Sequence, residues 1–208
     1  MSTMPRRIVL ATANPDKARE LTDALADLDV ELVPRPADVP EVEETGTTLL
    51  ANARLKAEAL AAATGLPALA DDTGLEVDAL GGAPGVYSAR YAGEDATYAD
   101  NVTRLLADMT HALRNARTAR FRTVVVLATP GGEEIVVDGV VDGIIADAPR
   151  GDGGFGYDPV FVPAGGGGET FAEMSLAAKQ RISHRGRALR ALAARLREAA
   201  PSPSTDEE

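Results

Sequence analysis

The chain has 208 residues, 45% of them apolar and 25% charged, with no cysteine and no tryptophan. This is the composition of a soluble globular protein with length enough for one large core or two tight lobes. Disulfides and cysteine-ligated metals are excluded, and a reducing cytoplasm is the expected home. The net charge of −11 speaks against general nucleic-acid binding, which relies on broad phosphate neutralisation. A cleft rich in carboxylates that must also hold phosphates needs a divalent cation between them.

Residues 1–5 lead into a strand-like run without an apolar signal region, and no stretch approaches a membrane span. Residues 6–12 read as a short buried strand. Pro15 breaks it, and residues 16–28 carry helical apolar spacing at Ala18, Leu21, Leu25 and Leu28. Residues 31–33 suit a second strand, and Pro34, Pro36 and Pro40 hold residues 33–44 in loop or edge conformations. Residues 47–64 form an Ala- and Leu-rich helix stopped by Gly65. Residues 68–71 are a short apolar run ending in two carboxylates, and residues 74–80 extend a strand or make a hairpin. Residues 81–93 read as loop and 96–113 as a third helix. Residues 120–128 and 134–146 are rich in Val and Ile, and Pro130-Gly131-Gly132 joins them as a hairpin. Two Gly-rich loops follow, 151–156 and 165–168, and then one helix or two over 176–199. The acidic tail, 201–208, is expected to be disordered. Residues 1–200 are expected to form one two-lobed domain. The element order predicts an α/β fold: a mixed β-sheet with flanking helices and an antiparallel meander in the middle.

Only three of the twenty-one basic residues are lysine: Lys17, Lys56 and Lys179. Lys is a compact point charge where Arg is a planar fork, so isolated lysines in an arginine-rich chain mark candidate phosphate sites. Each keeps informative company. Thr12, Ala13, Asn14, Pro15, Asp16 and Lys17 occupy a strand-to-helix junction, where free backbone amides and the helix dipole attract anions. The segment lacks the Gly-Lys-Ser/Thr ending of a P-loop. Glu43 and Glu44 precede a helix on which Asn52 and Lys56, four apart, share a face. Asp71 and Asp72 follow an apolar run, a costly placement unless they are paired or bound to metal. Their oxygens suit Mg²⁺, which also bridges to substrate phosphates. Phe155, within Gly153-Gly154-Phe155-Gly156-Tyr157-Asp158, can stack on a base. Lys179 lies four before Ser183-His184-Arg185, whose ring and guanidinium offer directional donors. His111 reads as merely exposed.

Taken in order, the segments LATANPDK, EETGTTLLANARLKA, LADDTGLEVDALGGAPGVYSARYAG, FGYDPVF and KQRISHR resemble the Ham1/RdgB family of noncanonical purine nucleoside triphosphate pyrophosphatases. All three lysines fall inside them. The resemblance implies a two-lobed homodimeric enzyme that cleaves ITP, dITP and XTP to the monophosphate and pyrophosphate with Mg²⁺. It implies that residues 12–17 and Lys56 hold the triphosphate and that Glu44 and Asp72 bind the metal, Glu43 being a weaker candidate. Asp72 would also accept the proton of the attacking water, and Thr73 would contact substrate. Phe155 would stack on the purine, with Asp158 and the intervening backbone of Gly156 and Tyr157 reading its edge. Lys179, His184 and Arg185 would complete base and phosphate recognition. A Maf-type pyrophosphatase, a nucleotide sensor without turnover and an orthophosphate-releasing phosphatase are the alternatives.

Overall fold

The computed structural model describes residues 5–113 and 116–199; the acidic tail read from the sequence lies outside them. Strand β1 (Arg7–Leu10) runs into helix α1 (Pro15–Leu25). Pro15 is the first helical residue here and not a separate breaker: its fixed φ and missing N–H suit that position. The Asn14 side chain caps the helix by accepting from the amides of Asp16 and Lys17. The helix ends at Leu25, three residues before the apolar spacing does. Strand β2 (Glu31–Val33) follows, then the proline-rich loop and helix α2 (Leu49–Thr64). Thr48 caps its start, and Gly65 ends it in the left-handed conformation at φ 67°.

Strand β3 (Ala68–Val77) is a single element of ten residues, which corrects the expectation of an apolar run ending in two carboxylates. It pairs antiparallel along its whole length with β5 (Thr118–Ala128), from Ala68 opposite Ala128 to Val77 opposite Ala119. That ladder carries the strand through both aspartates. A short strand β4 (Pro84–Gly85) pairs back onto β3 within the segment read as loop. Helix α3 (Tyr98–Asp108) is shorter at both ends than the expected 96–113; at its start Thr97 and Asp100 form a reciprocal capping box. Strands β5 and β6 (Glu134–Ile145) form the expected hairpin, and a short β7 (Phe161–Pro163) adds an edge. The C-terminal region is two helices, α4 (Leu176–Ile182) and α5 (His184–Ala199), separated by Ser183 in extended backbone.

The sheet order is β2-β1-β3-β5-β6-β7, with β4 beside β3. Pairings among β1, β2 and β3 are parallel, and the others are antiparallel. Helices cover both faces where the parallel part meets the hairpin. On one face Leu69, Val125 and Leu127 pack with Leu21 of α1 and with Leu189 and Leu192 of α5. On the other, Ala70, Val124 and Val126 pack with Leu49, Ala53 and Ala57 of α2. Further along, Leu75, Phe121, Val141, Phe161 and Phe171 form a third cluster with Val102, Leu105 and Met109. Successive side chains of a strand point to opposite faces. The next residues of β3 inherit the division: Asp71 and Thr73 face α1 and α5, and Asp72 faces α2.

Candidate active site

On the α2 face, Asp72 lies beside a helix that presents Asn52 and Lys56 one turn apart. Asn52 is fully buried. It donates its side-chain amide to Asp72 Oδ2 at 3.3 Å and accepts the Gly46 amide at 2.8 Å. The loop carrying Glu44 is thereby tied to the carboxylate. Lys56 bridges the two acids, with Nζ 2.7 Å from Glu44 Oε1 and 3.3 Å from Asp72 Oδ1. Arg90 approaches Glu44 from outside at 3.6 Å. Burial lifts the Asp72 carboxyl above its usual range, and the negative charges of Glu44 and Asp71 add to that, against the pull of Lys56 and Lys17. Burial acts the same way on Glu44, but Lys56, Lys17 and Arg90 outweigh it and hold Glu44 low.

The α1 and α5 face is more enclosed. The Asp71 side chain has no exposed surface, and its Oδ2 lies 3.3 Å from Lys17 Nζ and 3.1 Å from Arg185 Nη2. Arg185 also contacts Glu20 of α1 through a short charge-assisted bond and donates to Thr73 Oγ1 at 3.0 Å. Lys179 joins Glu20 at 2.9 Å to Asp158 at 2.7 Å. Three cations (Lys17, Lys179 and Arg185) and three acids (Glu20, Asp71 and Asp158) are therefore interleaved, in an interior where ions survive only when paired. Despite burial, Lys17 and Arg185 hold Asp71 far below the ordinary carboxylate range. Its Oδ1 has no partner among the described residues.

The Gly-rich loop attaches to this network. Asp158 Oδ2 accepts the Phe155 amide at 2.8 Å as well as Lys179. Gly154 has φ +68°, and a Cβ there would collide with the Asp158 carboxylate, so only glycine lets the loop close so tightly. Phe155 is half-buried, with Lys179 Nζ 4.7 Å from its ring centre and Arg185 Cζ 5.5 Å away. Both bonds fall on Oδ2 of Asp158, which ties the loop to Lys179 through a single carboxylate oxygen. Tyr157 is buried and donates its hydroxyl to the Ser88 carbonyl at 2.9 Å. His184 is buried face to face with Phe121, centroids 4.5 Å apart. Burial first, and the charges of Arg185 and Lys179 second, keep its ring neutral. The close seating of α5 on Gly139 of β6, where a Cβ would strike the His184 carbonyl, sets its depth.

These elements enclose a cleft of about 520 Å³ lined by Ala11 to Asn14, Lys17, Glu43, Glu44, Lys56, Asp71 and Arg90. It continues into an inner pocket of about 130 Å³ lined by Asp72, Thr73, Phe155 to Asp158, Lys179, His184 and Arg185. Asn14, Lys17, Glu44 and Tyr98 border both. Of the residues expected from the sequence, Pro15 and Asp16 alone do not line this space. Pro15 starts the helix, and Asp16 pairs with Arg19 at 4.0 Å on its outer surface. Three participants were missed: Glu20, Arg90 and Tyr98. Glu20 carried a usable signal, since it is one turn after Lys17 and one position before the buried Leu21. Among the described residues no group of three or more His, Cys, Asp or Glu is close enough to hold a metal by itself. Glu44 and Asp72, converging on one ammonium, are oxygen donors that would fit a hard divalent cation.

The Ham1 family model matches residues 8–195. A dITP/XTP pyrophosphatase of Thermus thermophilus is 55% identical over 188 residues, 89% of either chain. One of Yersinia pseudotuberculosis is 48% identical over 198 residues, covering 93% of this chain and all of its own. Among solved structures, a HAM1 protein from Coxiella burnetii has a TM-score of 0.85 at 43% identity, covering 92% of this chain and 98% of its own. A dITP/XTP pyrophosphatase from Mycobacterium abscessus gives 0.72 at 47% identity over 89% of this chain and 98% of its own. A match that spans β1 through most of α5, at close to half identity and with the same mixed sheet, places this chain in the Ham1 family.

Proposed function

We propose that the chain hydrolyses noncanonical purine nucleoside triphosphates (ITP, dITP and XTP) at the α-phosphorus, releasing the monophosphate and pyrophosphate. The observation that carries this is the pairing of Asp72 with Glu44 across Lys56, at the junction of a cation-lined cleft and an aromatic-lined pocket. The names of the relatives support the substrate class.

The triphosphate lies along residues 12–14, with Lys17 and Lys56 neutralising it as negative charge shifts to the leaving pyrophosphate. Glu44 and Asp72 are the residues that would hold a Mg²⁺ ion, whose chemistry when bound would be to screen the phosphates and activate water. Asp72, oriented by Asn52, takes the proton of the attacking water. Phosphoryl transfer of this kind is mostly positioning and electrostatics, so the cations matter as much as the base. The purine stacks on Phe155, and the pocket around Lys179, His184 and Arg185 donates to its exocyclic oxygen. Adenine presents a donor there and leaves donor facing donor; sites built on hydrogen bonds reject such analogues by about 10⁴-fold or more. Residues 1–200 act as one two-lobed unit around the cleft, as a cytoplasmic homodimer. The absence of cysteine and the family resemblance support that assembly and location.

Product analysis with Mg²⁺ tests the proposal, offering ITP, XTP, ATP and GTP in parallel. Pyrophosphate from ITP and XTP with little from ATP or GTP is expected. Orthophosphate as the first product would overturn the site of attack, and binding without turnover would make the protein a sensor.

A further inference from the structure

Tyr98 is absorbed by neither the core nor the residues above. It is the first residue of α3, 45% exposed, and belongs to none of the buried clusters. The capping box of Thr97 and Asp100 fixes its backbone, so an aromatic ring is displayed where packing does not ask for one. Its contacts reach two otherwise separate parts of the site. The hydroxyl accepts the Asn14 side-chain amide at 2.7 Å, and the ring lies 6.0 Å from the Phe155 centroid at 40°. Asn14 caps the helix behind the phosphate loop, and Phe155 is the base platform.

A nucleotide that runs from one to the other must pass its sugar beside Tyr98. Resting on the function proposed above, we propose that Tyr98 is a substrate-contacting residue that forms the sugar-side wall between the triphosphate cleft and the base pocket. Two features fit this. Rings at 6.0 Å are already in pair contact, which leaves no room for a base between them, so the ligand lies along Tyr98 and not under it. The phenol accepts from Asn14 and still has its own hydrogen to donate, with no protein acceptor for it among the described residues. A sugar oxygen is the polar group a nucleotide brings to that point.

Tyr98→Ala and Tyr98→Phe separate a sugar contact from a buttress of the phosphate loop. For Tyr98→Ala, KM for ITP should rise about fivefold, as expected for one lost polar contact with its packing, while kcat stays within about twofold. Inhibition by inosine monophosphate should weaken by a similar factor, and inhibition by inorganic tripolyphosphate should hold. Tyr98→Phe keeps the ring and should recover part of the loss. Unchanged KM, or weakened tripolyphosphate inhibition, overturns the assignment. Calorimetric binding of inosine monophosphate reads the same contact without turnover. A wild-type protein that binds this nucleotide but does not hydrolyse ITP would refute the proposed function and leave Tyr98 testable.

Discussion

Asp71 and Asp72 are neighbours on one strand, with the same side chain and the same main-chain ladder, yet they meet opposite fates. Asp71 points to α1 and α5 and is locked by Lys17 and Arg185, with no exposed side-chain surface. Asp72 points to α2, keeps 8% of its side chain exposed and shares one ammonium with Glu44. The enclosed side holds Asp71 ionised far below the ordinary range; the opener side lifts Asp72. Strand alternation thus gives the two halves of one dipeptide opposite electrostatic surroundings. Asp71 is held to its charge by two cations, Lys17 and an Arg185 that also serves Glu20, whereas Asp72 has one ammonium, which it shares with Glu44.

The comparison is broken most severely at Asp72. Asp72→Asn keeps the shape and hydrogen bonding to Asn52 but removes the charge and the base. Turnover should fall by at least about 10³-fold, since general-base and metal contributions are both lost, while nucleotide binding persists in calorimetry. Turnover near wild type would transfer the base role elsewhere. On the other face the expected effect is on stability. Arg185→Leu leaves Glu20 and Asp71 buried with only Lys179 and Lys17 to offset them. Breaking such a network costs about 3 kcal/mol, a fall of about 6–12 °C in Tm for a chain of this size. A Tm within about 2 °C of wild type would mean that the two lysines alone satisfy the acids.

The fold was legible where local signals are strong. The Pro-Gly-Gly hairpin, the Gly65 stop of α2 and the helical C-terminal region stand in the sequence and in the structure. Strand β3 was misjudged because two adjacent aspartates look like an end. Only the partner strand and the cations from α1, α2 and α5 make them tolerable, and these are tertiary facts. The site was legible as a set of lysine-bearing segments. The sequence does not show that Asp158 and Lys179 satisfy each other, that Tyr157 turns inward, or that Glu20 joins Lys179 to Arg185 across more than 150 residues of chain. Tyr98 was invisible because nothing local marks it; it matters only through what α3 brings it beside.

Smaller changes sharpen the division between base end and phosphate end. Phe155→Ala removes the ring against which a purine stacks. Stacking is worth about 1–3 kcal/mol per base, so KM for ITP should rise about tenfold with kcat nearly intact. An unchanged KM would show that the base sits off this ring. Inhibition by tripolyphosphate should be unaffected, because the loop stays anchored through Asp158 and Lys179.

A last effect concerns the enclosed side and depends on pH. His184 is neutral in the folded protein, its pKa pushed well below 6.5 by burial and by the charges of Arg185 and Lys179. The unfolded chain binds a proton at this residue as pH falls through 6.5, and the folded chain does not. Stability contributed by His184 is therefore present above that pH and lost below it, at up to about 1.4 kcal/mol per pH unit. His184→Gln removes this linkage while leaving the raised carboxyls of Asp72 and Asp158 in both proteins, so the difference between the two unfolding curves isolates the histidine. Urea unfolding at pH 7.0, 6.0 and 5.0 should show the wild-type advantage shrinking as pH drops. A constant difference would mean that the folded protein can protonate His184, and with it that the pocket beside Phe121 admits a charge.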